Sequence, residues 1–532
     1  MPSNDIVFAE DLPASTISGR VKRGELRKLA SGIYTTNLTS PVEAVIRRHA
    51  YVIAGRLYPN AVITDRSAPS GGIAHGLLYL AHPARRRETV LPGLTISART
   101  GAGPLADDVM MPGGLHQASR GRALAENAQP SRRSKGKERR TLDAAELEEW
   151  VERLCRVEGE DRLSKHRQRA EQVADNVGTK REDLARVSHA IGVALGSRHE
   201  RVISHALAAR RAGRPYDQER VARFDRLVRA LREAAPQSRR IDPNDPDRYK
   251  TLPFFEAYFS NYIEGTEFAL EEAEQIVYHD KQPAGRPADT HDLVSTYRIV
   301  ADEAEMRRRF DDADEFLEAM RTRHATIMGA RPENRPGEFK ENANQAGNSL
   351  FVRPDLVYGT FVEAHARLRD LDTPWERAVY TMFFVAEIHP FDDGNGRIAR
   401  VMMNGELVAD DETRIIIPTG YRNDYLGALR RLTRDDDPNV FVKAMRYAHD
   451  WTFGIDFDDV TSAAAQMEST NAFEDSDSGR RLLLPPRARD AIAADLGDPM
   501  RHVVPKASSS DVVAPYQRAD GTQVRGYEKP NA

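Results

Sequence analysis

Apolar residues along this chain fall into two spacings, which divide it. From residue 142 onward they recur every three to four positions, the period of a helix with one packed face. Leu147, Val151 and Leu154 form one stripe, Val187, Ile191 and Leu195 a second, and Glu219 to Ala234 reads as another helix. A Pro/Asp-rich break from Pro236 to Pro253 precedes the amphipathic stretch FFEAYFSNYIEG. Helices follow over Asp289 to Arg331, and Phe441 to Trp451 reads as a closing helix. Val379, Met382, Phe383 and Ala386 predict a buried helix, opened by a capping box of Thr373 and Glu376 with Pro374 at its first position. Pro390 disfavours helix at the residue before it, so this helix stops with His389 at its lip. Gly394-Asn395-Gly396 permits a tight turn. A second helix starts near Arg397 and carries Ile398, Val401, Met402 and Leu407 inward.

Ahead of residue 113 the pattern is mixed. Asp11 to Leu26 reads as two short helices around a Ser/Thr-rich turn, with basic residues at Arg20, Lys22, Arg23, Arg27 and Lys28. Ser31-Gly32 turns into a β segment, Ile33 to Thr35, and Leu94 to Ser97 is strand-like. Helix, basic helix and β-ribbon is the order of a winged helix. GRVKRGELRKLASGIYTT is similar to the N-terminal domain of abortive-infection-type antitoxin regulators, which implies operator DNA or a docked partner at Arg20, Lys22 and Arg23; a solvated basic face is the plainer alternative. Residues 113–141, with SRRSKGKERR, read as a basic linker. Residues 456–532 lose periodicity and read as a disordered tail, with a small β turn around Asp520-Gly521. The expected organisation is a front domain over 1–112, the linker, a helical connector over 142–235, a main domain over 250–455 and the tail.

At 532 residues the length suggests three or four domains, and 40% hydrophobic content is enough to build cores. A net charge of −4 excludes a generic polyanion binder. The single cysteine, Cys155, excludes an internal disulfide and fits a reducing cytoplasm; it reads as a small buried apolar residue. No apolar run reaches membrane-spanning length, and MPSNDIVFAEDLPAS has neither a basic n-region nor an apolar h-region, so no membrane partner and no export signal are expected.

The chemistry concentrates at residues 389–400. Glycine-flanked N–H groups and a helix N-terminus form a nest for an anion. Arg397 and Arg400, at i and i+3, can add charge-assisted bonds. Asp393 is a hard oxygen ligand suited to Mg²⁺ held against two phosphates. His389 can take a proton near neutral pH. Phe391 reads as an apolar peg fixing the loop to the core.

This stretch resembles the Fic family signature, His-Pro-Phe-x-(Asp/Glu)-Gly-Asn-Gly-Arg-x-x-Arg, and every fixed position is filled. At ~5% usage per residue type, eight fixed positions arise by chance in about 10⁻⁸ of chains this long, so composition does not produce the match. The resemblance implies a mainly α fold: an all-helical core with a β-hairpin flap, preceded by the small α/β winged-helix-like domain and the connector. It implies transfer of AMP from ATP to a Ser, Thr or Tyr hydroxyl of a protein target or of the chain itself. His389 would be the base, Gly394, Asn395, Gly396, Arg397 and Arg400 the phosphate cradle, Asn404 the adenine contact, and Tyr421 and Tyr425 the wall beside the base. Ser260-x-x-x-Glu264-Gly265 matches the family's inhibitory motif, whose glutamate pairs with the second arginine, here Arg400. Gly347, Asn348, Ser349, Leu350 and Phe351 would form the flap that aligns the target by strand addition. Pro336 to Lys340 resembles the family's Pro-Gly-x-(Phe/Tyr)-Arg entry, with Lys340 where arginine is usual. Removal of AMP, with Glu264 aligning a water, is a variant within the class. The alternative from another class is a DNA-binding regulator whose Fic core is a nucleotide sensor or a silenced toxin. A homodimer is compatible with either.

Overall fold

The structure is a computed structural model that describes residues 5–111, 113–131, 138–235, 237–347, 349–475 and 478–497, with short strands at 512–513, 516–517, 523–524 and 527–528. The chain folds as two units, Met1–Tyr216 and Asp217–Ala532.

The first unit opens with β1 (Ile6–Phe8), α1 (Ala14–Lys22), β2 (Arg27–Ala30) and β3 (Ile33–Thr35), and β3 lies between the other two strands, antiparallel to both. Helices α2 (Val42–Arg48) and α3 (Ala50–Leu57) follow. A six-stranded sheet contains β4 (Val62–Ile63), β5 (Leu77–His82), β6 (Arg87–Leu91), β7 (Leu94–Thr100), β8 (Val109–Met110) and β9 (His116–Gln117), in the order β6-β7-β5-β4-β9-β8. It is mixed, with β5 parallel to β7 and β4 parallel to β9. Ile46, Ile53 and Ala54 pack on Leu78, Leu80 and Ile96 in one core. A second core joins α4 (Arg120–Ala128), α5 (Ala144–Glu158), α6 (Glu160–Val173), α7 (Arg181–Ala194) and α8 (His205–Arg211) through Leu124, Trp150, Val151, Leu163, Ile191 and Leu207.

Three sequence expectations are corrected here. Residues 11–26 hold one helix rather than two: Gly24 turns the chain at φ +71° and residues 27–30 are drawn into pairing with β3. The basic residues therefore divide between α1 and a strand, which departs from the winged-helix order. Residues 113–141 are not a linker over their first half, because α4 is buried from Gly121 to Ala128. Its charges are neutralised internally, Arg122 donating to Asp108 at 2.7 Å and to Glu126 at 3.3 Å. Residues 132–137 of the basic stretch lie outside the described residues. The helices of 142–235 also divide, since α5 to α8 belong to the first unit and α9 (Gln218–Glu233) to the second. Cys155 is buried as expected, and burial pushes its thiol up.

The second unit is helical. After α9 come α10 (Leu252–Ile263), α11 (Leu270–His279), α12 (Pro287–Ala301), α13 (Glu303–Met306) and α14 (Ala313–Ile327). The hairpin β10 (Gln345–Ala346) and β11 (Ser349–Leu350) precedes α15 (Val357–Ala366), α16 (Pro374–Ile388), α17 (Asn395–Val408), α18 (Arg422–Asp435) and α19 (Asn439–Gly454). Edge-to-face and tilted ring contacts among Phe224, Phe316, Phe361, Tyr380, Phe383 and Phe384 tie α9, α14, α15 and α16 together. The chain is mainly α, as the sequence predicts.

The tail reading is corrected over 456–497. Helices α20 (Val460–Ser469) and α21 (Pro486–Gly497) form there. Phe457, Ala463, Met467, Ala472 and Ala488 are fully buried. Further on, β12 (Val512–Val513) pairs with β15 (Tyr527–Glu528) and β13 (Tyr516–Gln517) with β14 (Gln523–Val524); Asp520 and Gly521 lie outside the described residues. Among the described residues no helix is long and apolar enough to cross a membrane.

Candidate active site

The site is built by two packed helices, α16 and α17, and the loop between them. The predicted capping box opens α16: Thr373 accepts from the Glu376 N–H and Glu376 from the Thr373 N–H, with Pro374 in the first turn. The helix ends at His389, which caps it in the left-handed region at φ 53°, ψ 59°. A side chain with a Cβ pays on the order of 1–3 kcal/mol for such a conformation and holds it only where its surroundings enforce it. His389 Nδ1 is 3.2 Å from the Ala386 carbonyl, which fixes Nδ1 as the donor and leaves Nε2 without a partner among the described residues. Its ring lies flat on Phe351, 3.7 Å between centroids and 3° between planes. Burial pushes the imidazole down to about 4, with Lys340 adding to the fall and the Ala386 carbonyl opposing it. At neutral pH His389 is therefore a neutral base.

The loop after it is pinned from outside. Phe391 is fully buried and stacks on His324 of α14 at 3.7 Å. His324 accepts from the Gly337 N–H through Nδ1 at 2.9 Å and so donates through Nε2 to the Asp393 carbonyl at 2.9 Å. Asn395 closes the loop on itself, accepting from the Phe391 N–H and donating to the Phe391 carbonyl, each at 2.9 Å. Its side chain is thus spent on the loop, and only its backbone can serve the anion nest. Gly394 sits at φ +74° as the N-cap of α17, where a Cβ would meet Met328 Sδ at 2.8 Å. At Gly396 a Cβ would crowd Glu264 Oε1, the free end of that side chain.

That proximity shows what fills the nest. Glu264, the C-cap of α10, places its carboxylate over Gly396 at the N-terminus of α17, where the helix end and its dipole favour an anion. Oε1 accepts from Arg400 Nη2 at 2.7 Å. Arg400 also donates to Ser260 Oγ at 3.0 Å and to the Ser260 carbonyl at 2.8 Å. Gly265, at φ +88°, terminates α10 directly after Glu264. Arg397 donates to the fully buried Asp292 at 2.6 Å, and its Nε has no partner among the described residues. A cavity of about 260 Å³ borders Glu264, Gly396, Arg400, His389, Phe351 and Tyr425, with an apolar wall that includes Met382 and Leu426.

Asp393 keeps 51% of its side chain exposed, and one of its carboxylate oxygens accepts from Asn334 at 3.2 Å. Among the described residues no cluster of three or more His, Cys, Asp or Glu could hold a metal. A single exposed carboxylate instead suits Mg²⁺, which keeps waters and takes phosphate oxygens.

Other expected positions fall elsewhere. Asn404 is fully buried, donating to Glu256 at 2.9 Å and to the Ile415 carbonyl at 3.1 Å and accepting from the Ile415 N–H at 2.8 Å, so it does not reach the cavity. Tyr425 borders the cavity, and burial pushes its phenol up to about 12. Tyr421 stacks on Tyr447 away from it. The flap forms: Gly347 turns at φ +56°, Ser349 accepts from Arg434 at 3.0 Å, and the Leu350 carbonyl accepts from Arg220. Asn348 lies outside the described residues. In the first unit Arg20 and Arg23 face Glu25 at 3.5 and 2.6 Å, and Lys22 is exposed. His324 and Asp292 were not found by sequence reasoning, because each is brought in from a distant helix and neither stands in a local pattern.

Over residues 314–407 the chain matches the Fic/DOC family. It is 22% identical over 264 residues to the protein adenylyltransferase Fic of Aedes aegypti, covering 48% of this chain and 49% of that protein. Against the protein of the same name from Drosophila willistoni it is 25% identical over 244 residues, covering 43% and 45%. The chain spans about half the length of these curated relatives. Among solved structures, Fic-1 from C. elegans is 14% identical, with 61% of this chain and 88% of that one covered and a TM-score of 0.34. The span that matches the Fic/DOC family contains the whole of the His389–Arg400 site.

Proposed function

We propose that the second unit is a protein adenylyltransferase held inactive by Glu264. The observation that carries this reading is the carboxylate of Glu264 on Arg400, lying in an anion nest that opens on the same cavity as a neutral His389. That the similar proteins are protein adenylyltransferases supports the chemistry.

With Glu264 withdrawn, a nucleoside triphosphate takes its place. The N–H groups of Gly394 to Arg397, the Arg397 guanidinium and the Arg400 donor released by Glu264 face its phosphates. Asp393 would hold Mg²⁺, which neutralises phosphate charge when bound. His389 Nε2 takes the proton of a Ser, Thr or Tyr hydroxyl on a protein. That oxygen forms a bond to the α-phosphorus, the bond to the bridging oxygen breaks, and pyrophosphate leaves. Most of the acceleration comes from positioning and charge stabilisation.

Labelled ATP tests it. Glu264→Gly should raise transfer of label to protein, and His389→Ala on that background should remove it. If Glu264→Gly leaves labelling at the background of the unaltered chain, the reading fails. If it instead abolishes release of AMP from a modified target, the activity runs in the opposite direction and Glu264 aligns a water.

A further inference from the structure

One buried cation beside the site has no part in the function above. Lys340 is 3% exposed. Its ammonium donates to Asn344 Oδ1 at 2.6 Å and to the Ile388 carbonyl at 3.3 Å, and its backbone N–H donates to the Pro390 carbonyl at 2.9 Å. Asn344 Nδ2 donates in turn to the carbonyls of Phe391 at 3.0 Å and His389 at 3.5 Å. Two residues at the foot of the flap therefore hold four consecutive carbonyls, 388 to 391. This is the stretch where His389 adopts its left-handed conformation, the kind a fold must over-determine. Lys340 Nζ also lies 6.0 Å from the centre of the Phe351 ring, the ring that covers His389.

The charge on Lys340 is unusually placed. Among the described residues no carboxylate stands within ion-pairing distance of it, and its support is the carbonyl end of α16, the negative end of a helix dipole. Arg220 of α9 opposes its charge and Asp392 of the loop favours it. Lys340, Glu264 and Asp393 are the charged groups that face His389. Burial, with Arg220 adding to it, brings the ammonium down to about 7.

On the adenylyltransferase reading, we propose that Lys340 is a positioning residue: its charged form pins the flap to the His389 turn and sets the alkaline limit of the reaction. The sign follows from the ammonium. It is present below about 7 and lost above, so activity falls as pH rises through that range. Its charge also opposes protonation of His389, so removing it raises the imidazole midpoint from about 4. An arginine in its place stays charged at every working pH.

The experiment compares Glu264→Gly alone with the same chain carrying Lys340→Met or Lys340→Arg. Labelling from ATP is followed across pH, and the His389 ring is titrated by proton NMR. Lys340→Met should lower kcat at least about tenfold while KM for ATP stays within about twofold, as misplacement of a reacting group does. It should also erase the alkaline limit and raise the His389 midpoint. Lys340→Arg should move the alkaline limit upward and leave the midpoint in place, and it decides the matter if the Met variant does not fold. If Glu264→Gly labels nothing, the adenylyltransferase reading falls, and the His389 midpoint alone still decides whether Lys340 acts on the turn. If labelling appears but neither substitution moves a pH limit or the midpoint, Lys340 only fills space and the proposal is overturned.

Discussion

Both units bury arginines, and they neutralise them in different ways. In the first, Arg122 is fully enclosed and donates to Asp108 at 2.7 Å, and Arg99 donates to Asp65 at 2.8 Å and Glu126 at 2.9 Å. Those acids are as enclosed as Arg122, with side chains 0–1% exposed. In the second, Arg400 is 4% exposed, yet Glu264 keeps 28% of its side chain in contact with solvent at the end of α10. The difference is whether the neutralising group can leave. An acid enclosed on every side cannot be exchanged for an anion from solution. One at a helix end, beside a cavity, can. A buried ion pair is weak grounds for inferring function; the exposure of its acid is what separates a staple from a lock.

Four measurements bear on that contrast. The largest effect belongs to a residue that is no ion pair: His389→Ala, on the Glu264→Gly background, should cost about 10²–10⁴ in labelling rate without lowering the melting temperature. Next is the staple. Arg122→Met strands the enclosed Asp108 without its cation, while Glu126 keeps Arg99, and should cost about 3–5 kcal/mol in urea unfolding; a loss below about 1 kcal/mol would erase the distinction. Third is acid. His324 and His389 are held down to about 4 and His449 to about 3, chiefly by burial, and all three lie in the second unit. Between their ordinary value of 6.5 and those values the unfolded chain binds protons that the folded chain does not, so stability falls as pH falls. Each should remove about 1.4 kcal/mol per pH unit, seen in calorimetry as a second-unit transition that drops more steeply than the first. The smallest effect on stability belongs to the lock. Glu264→Gln should cost under about 1 kcal/mol, because Ser260 still accepts from Arg400, while nucleotide affinity rises in titration calorimetry.

What could be read in advance was local. The Thr373–Glu376 box, the stop at His389 and the turn at Gly394 are short-range statements, and they stand in the fold. Glu264 could be paired with Arg400 only through a resemblance, since 136 residues separate them. Asp292 of α12 meets Arg397 of α17 and His324 of α14 meets the Asp393 carbonyl, and no periodicity records which distant side chain will meet a given group. Asn404 was expected at the cavity, but Glu256 and the backbone of Ile415 satisfy its amide inside the core. The segments misread as linker and tail failed for one physical reason. Charge and small residues suggested solvent, whereas Arg122 is neutralised within α4's own surroundings and Ala463, Ala472 and Ala488 need little area to be enclosed.

The two imidazole–phenyl stacks have a practical consequence. A proton held above the face of a benzene ring is shielded by the ring current and resonates upfield. His389 over Phe351 and His324 over Phe391 lie 3.7 Å from such faces and within 5° of parallel. Their carbon-bound signals should therefore stand clear of the protein's other histidines. One belongs to the base and the other to the prop beneath its loop, so chemistry and scaffold can be followed separately in one sample.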